Sequence, residues 1–168
     1  TQRREQAVTM PQGNLALINT SWFYGAPGEW ESVWGAGGQW SARQPGDVGV
    51  AVKATPADGV TINGALLDGE SVVYPKNHET PSEIIFVDGK TGSVIVNEEG
   101  VYALRVWDAQ SDDIQNFGGI DVFPYNPDWV VSARFIPIEG GKAVGVEHLK
   151  DEGNAREKTI PGDIVFTH

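Results

Sequence analysis

YALRVWD, residues 102–108, alternates too regularly for a helix. A period of two sends Tyr102, Leu104 and Val106 to one side of an extended chain and Ala103, Arg105 and Trp107 to the other. A helix would instead repeat its apolar residues three and four apart. The same alternation, or a short apolar run, recurs at Leu15 to Ile18, Val48 to Val52, Val60 to Ile62, Val72 to Tyr74 and Ile84 to Val87. It continues at Val94 to Val96, Val130 to Ile138, Ala143 to Val146 and Ile164 to Phe166. Turn formers separate these segments: Asp58-Gly59, Asn63-Gly64, Asp68-Gly69, Asp88-Gly89, Thr91-Gly92, Gly140-Gly141 and Pro161-Gly162. About ten short strands at this spacing predict an all-β fold, an antiparallel β-sandwich or flattened β-barrel. Residues 1–168 read as a single domain with an arm at 1–11, in which Gln2 to Val8 is the one helical candidate.

Composition narrows the partners. The 168 residues are 40% hydrophobic, enough for an ordinary core, and 23 acidic side chains against 12 basic ones give a formal charge of -11. Phosphate backbones and anionic membranes are repelled by such a chain, so nucleic acid and membrane surfaces are not expected partners. No apolar run reaches the roughly 20 residues of a membrane span. The amino-terminal TQRREQAVT has no apolar core of a secretory signal, which makes the cytoplasm the default expectation. There is no cysteine, so thiolate chemistry and disulfides are absent from these residues, and no cofactor motif stands out.

Two constellations attract attention. The first is a polar corner: Arg105 beside Trp107 on one strand, Asp108 at its end, Asp121 in the Gly-rich and Pro-punctuated GGIDVFPYNPDW (118–129), and Arg134 in the alternating WVVSARFIP (129–137). The alternation there groups Val130, Ser132 and Arg134 against Trp129, Val131, Ala133 and Phe135. A guanidinium stacks on indole and pairs with carboxylates in a two-pronged fashion, so these groups suit an anion or carboxylate pocket. Equally, Arg105–Asp121 or Arg134–Asp108 are candidate internal ion pairs, the commoner use of such residues. The second constellation is SWFYGAPGEWESVWGAGGQW (21–40), where Trp22, Trp30, Trp34 and Trp40 crowd into a Gly-rich stretch. Such rings serve sugar faces or a partner's apolar groups, but core or lid is the commoner use, since exposed tryptophan clusters cost solubility.

Catalytic templates are missing. His78, His148 and His168 sit in separate contexts, with His78 in an exposed-loop string, and no G-x-S-x-G elbow, H-E-x-x-H pair or phosphate loop is present. DAQSDD (108–113) lacks the calcium-loop spacing, and no metal ligand set is expected.

The strings RREQAVTMPQGNLALINTSW (3–22), ADGVTINGALLDG (57–69), YALRVWD, GIDVFPYNPDWVVSARF (119–135) and PGDIVF (161–166) occur in order and together resemble the bacterial domain-of-unknown-function family numbered 1684. YALRVWD with GIDVFPYNPDWVVSARF carries the resemblance most specifically. It implies an all-β domain and assigns no activity. Family members continue past PGDIVF through further strands and a Pro-Pro-Cys stretch, so the resemblance implies a chain shortened at its carboxy end. The strand starting at Ile164 points the same way, because a strand needs a neighbour.

The residues together lead us to expect non-covalent binding of a small-molecule, carbohydrate-like or protein ligand rather than catalysis. Arg105, Trp107, Asp108, Asp121, Arg134, Trp30, Trp34 and Trp40 are the candidate contacts. A hydrolase centred on Asp108 and Asp121 is one alternative, and a structural module forming a homo-oligomer through a free sheet edge is another.

Overall fold

The structure, a computed structural model, describes residues 2–148 and 151–166. Strands dominate, every pairing is antiparallel, and the chain divides into two compact units, Thr1–Asp121 and Val122–His168. The all-β expectation holds.

The first unit opens with helix α1 (Gln2–Thr9), close to the segment expected from sequence. Strands β1 (Leu17–Trp22), β2 (Gln39–Ser41), β3 (Val50–Ala54), β4 (Thr61–Ile62), β5 (Ala65–Leu66) and β6 (Gly69–Val73) follow. After them come β7 (Ile84–Ile85), β8 (Thr91–Val96), β9 (Tyr102–Trp107) and the one-turn helix α2 (Asp112–Gln115). One sheet has the order β1-β9-β8-β7-β4-β5, and a second has the order β2-β3-β6. Two of these strands escaped the sequence reading: β2 is three residues long, and β5 is the return arm of the Asn63-Gly64 turn, too short to show a period.

Both sheets feed one core. Trp40 and Val50, Val52 and Val73 come from the smaller sheet, while Ile62, Ile84, Val94, Leu104 and Val106 come from the larger. The face assignment within YALRVWD holds only in part: Leu104 and Val106 are fully enclosed in the core with Tyr102 packed at its margin, but Ala103 and Trp107 on the opposite face are buried as well. Apolar burial of this kind is the main favourable term in folding, about 25 cal/mol per Å².

The second unit is a ribbon of two long strands, β10 (Ala133–His148) and β11 (Asp151–Phe166). Three expectations change here. Val130 to Ile138 was expected to be one strand, but Asn126 accepts a hydrogen bond from the Asp128 N–H at 2.9 Å and Pro127 opens a turn, so pairing starts only at Ala133. Gly140-Gly141 was expected to end a strand; both glycines take positive φ and instead form an irregularity inside β10, which carries the two anticipated strands as one. Ile164 to Phe166, expected to lack a neighbour, pairs with Ala133 to Phe135. No helix among the described residues is long and apolar enough to cross a membrane.

Candidate functional site

The first unit carries an open cleft of about 600 Å³, where one residue from each anticipated constellation meets. Its lining includes Leu17, Trp34, Lys90, Asp108, Gln110 and Asp112. Trp34 is 69% exposed, although its neighbour Val33 is buried in the core. That anchor, a turn closed by the Ala36 N–H on the Val33 carbonyl at 3.1 Å, and a 2.8 Å bond from the Asn19 amide to the Trp34 carbonyl hold the indole on the rim. Gly35 behind it takes φ +82°, and a Cβ there would come within 2.9 Å of Ile18 Cδ1. The positive φ is what favours glycine at this point.

The polar wall grows from the end of β9. The Asp108 N–H donates to the Ala16 carbonyl at 2.8 Å, and its Oδ1 accepts from the Gln110 N–H at 2.8 Å, a local turn that any Asp can nucleate. Ser111 caps α2 by accepting from the Ile114 N–H, while its hydroxyl donates to the Leu15 carbonyl at 2.6 Å. DAQSDD thus folds as turn plus helical turn, and its polar groups serve the backbone. Lys90 Nζ stands 3.7 Å from Asp88 and 3.9 Å from Asp108, long for ion pairs. Partly exposed pairs of this kind contribute on the order of 0.2–1 kcal/mol, so the ammonium retains donors for a ligand. Asp108, Asp112 and Asp113 outnumber that single cation, which favours hydroxylated or cationic ligands over anions.

The other anticipated residues scatter. Trp40 is 0% exposed, donates from Nε1 to the Gly37 carbonyl at 2.9 Å and meets Phe86 edge to face at 6.1 Å, so it is core and no ligand platform. Trp30 is half-buried under Lys53, whose Nζ is 5.0 Å from the ring centroid. Trp107 is buried, and the cation over its ring is Lys76 at 5.8 Å, so the expected stacking of Arg105 on Trp107 is replaced by a lysine from another loop. Asp121 is exposed, and the expected Arg105–Asp121 ion pair does not form. Arg134 is exposed on β10 in the second unit. Asp108 takes Lys90 as its ionic partner, a residue that sequence reasoning passed over because Asp88-Gly89-Lys90 looked like a plain turn. His78 lies in a loop after β6 as expected, partly exposed, where its ring stacks on Tyr74 at 4.2 Å. His168 and the His148 side chain lie outside the described residues.

The string GGIDVFPYNPDW itself straddles the boundary of the two units. Its second half gathers Phe123, Pro124, Tyr125, Trp129 and Val130 around an apolar hollow in the second unit, with Phe123 98% exposed. A comparison of the chain with protein-family models, curated proteins and solved structures finds no match in any of the three.

Proposed function

We propose that the first unit binds a neutral, hydroxyl-rich small molecule, of the carbohydrate kind, in the Trp34 cleft without covalent chemistry. One observation carries this reading: a pre-positioned and exposed indole faces carboxylates, an amide and a partly satisfied ammonium across one cleft. An indole face covers the C–H side of a sugar ring, while carboxylate and amide groups take its hydroxyls. Membership of the family numbered 1684 and a cytoplasmic location belong to the same proposal; the ordered strings quoted above support the first. The hydrolase alternative has no comparable support, since Asp108 is engaged by its own turn and by Lys90.

The test is a tryptophan-fluorescence titration with a panel of neutral mono- and oligosaccharides. A saturable shift with at least one member is expected, weakened about tenfold or more by Trp34→Ala, in line with truncation of a central aromatic contact. An unresponsive panel, or equal affinity in the variant, would overturn the proposal.

A second reading, an interaction module that meets a protein partner through the second unit, rests on a different observation. Ala133, Phe135, Pro137, Gly162, Ile164 and Phe166 share one face of the β10–β11 ribbon, and Phe135, Ile164 and Phe166 are each more than half exposed. Contiguous exposed apolar surface of this kind marks contact surfaces. A homo-oligomer formed through this unit is the form of that reading in which the partner is a second copy.

A further inference from the structure

We infer that one face of the β10–β11 ribbon docks an amphipathic helix of a partner protein, apolar along one side and acidic towards one end. This rests on the interaction-module reading given above and names the partner's chemistry. Directly opposed residues of antiparallel strands share a face, and residues two apart on one strand share it too. Ile160 lies two residues from Gly162, so the apolar face of Phe135, Ile164 and Phe166 continues past the Gly140-Gly141 irregularity. There it gains two mixed rows, Lys142–Ile160 and Val144–Lys158. The opposite face carries Asp163 beside Ile136 and Glu157 beside Gly145.

Charge is thus sorted by face. Lys142 and Lys158 are exposed on the apolar side, where the paired positions from Ala133 to Val144 and their partners include no carboxylate. Arg134 lies on the other side, in the row next to Asp163. Neither lysine belongs to an ion pair among the described residues. One end of the face is purely apolar and the other is apolar and cationic, in a chain whose net charge is -11. The apolar end is open: Phe135 is 54% and Ile164 67% exposed. Gly162 seats the Phe135 ring, since a Cβ there would come within 2.5 Å of Phe135 Cζ. The ring therefore lies across the neighbouring strand and spreads the apolar shelf over both.

Shape and charge together select the occupant. The two strands lie about 5 Å apart, and a helix about 10–12 Å across covers such a face with its apolar stripe. Acidic side chains at one end of that helix meet Lys142 and Lys158, which fixes the direction in which it lies. The same face of a second copy would bring more lysine and no carboxylate, so charge does not favour self-pairing. An anionic membrane is a broad plane that meets the field of the whole chain, net charge -11. A single helix on this face responds mainly to charges within a Debye length, about 8 Å.

The experiment titrates the intact 15N-labelled chain with three synthetic helical peptides that share one leucine stripe. One carries glutamates at one end, the second lysines at the same positions and the third serines. The glutamate peptide is expected to shift the Phe135, Lys142 and Ile164 amides saturably and to bind about tenfold or more tighter than the serine peptide, with the lysine peptide weakest. Combining Lys142→Glu with Lys158→Glu should reverse that order in favour of the lysine peptide, a gain that a misfolded ribbon could not produce. Trp34→Ala should leave peptide binding unchanged. Vesicles of phosphatidylcholine and phosphatidylserine, and sedimentation over a range of protein concentrations, test the rival occupants. Equal affinity for the glutamate and lysine peptides, or vesicle binding without peptide binding, would overturn the inference. Self-association abolished by Phe135→Ser, without peptide binding, would also overturn it while leaving the interaction-module reading in place with a second copy as partner. A ribbon indifferent to peptides, vesicles and its own copies would overturn both.

Discussion

Asp58 shows how a single side chain shapes its surroundings. Its Oδ2 accepts the Thr55 backbone N–H at 2.7 Å and the Thr55 hydroxyl at 2.8 Å, at the start of a short turn of Pro56–Asp58. Both bonds favour the charged form, the backbone one most, and hold the carboxyl below its ordinary value of 3.8. A folded value below the unfolded one means that the stabilisation is fully present above the unfolded value and is lost as pH falls through the folded value. A carboxyl 13C titration should give an Asp58 midpoint below 3.8, and Thr55→Ala should raise it only part of the way, since the backbone donor remains. A midpoint at or above the ordinary value would contradict the cap. The Asp58-Gly59 turn itself was legible, because Gly59 takes φ 63° where a Cβ would run into Val87. The Lys90–Asp108 pair was not, because ion pairing depends on where two loops arrive in space rather than on any local pattern.

Strands were legible in proportion to their length. β8 and β9 lie almost where the alternation put them, while β2 and β5 are only three and two residues long and have no period to detect. Turn chemistry read from residue type alone misjudged Gly140-Gly141, since positive φ serves a bulge inside a ribbon as readily as a hairpin end. Within the tryptophan stretch, spacing cannot tell Trp34 from Trp40. One rides on a turn braced by Asn19, and the other seals the core through a bond to its own loop. The β10–β11 ribbon contains no buried residue among those whose side chains are described. Two-stranded ribbons are marginal without a packed face, so their amides open easily. Hydrogen exchange should therefore find the amides of Arg134, Phe135, Ile136 and Ile138 far less protected than those of Val94 or Leu104. Equal protection would mean that another surface covers the ribbon.

Across the molecule, stability and recognition reside in different places. Stability comes from the first unit's core, where Leu104→Ala should cost about 2–5 kcal/mol in urea unfolding because it leaves a cavity among fully enclosed neighbours. Val165→Ala on the exposed ribbon should change stability by less than about 0.5 kcal/mol. If both variants cost the same, the placement of the core would be wrong. In the proposed reading recognition depends on Trp34, the one aromatic side chain lining the cleft, at its rim beside a mostly acidic wall. The most direct test follows the indole N–H resonances of 15N-labelled protein during titration with neutral oligosaccharides. The Trp34 indole should move together with the Gln110 and Asp112 amides while the Trp40 indole stays still. A stationary Trp34 signal, or shifts centred on residues outside the cleft, would contradict it.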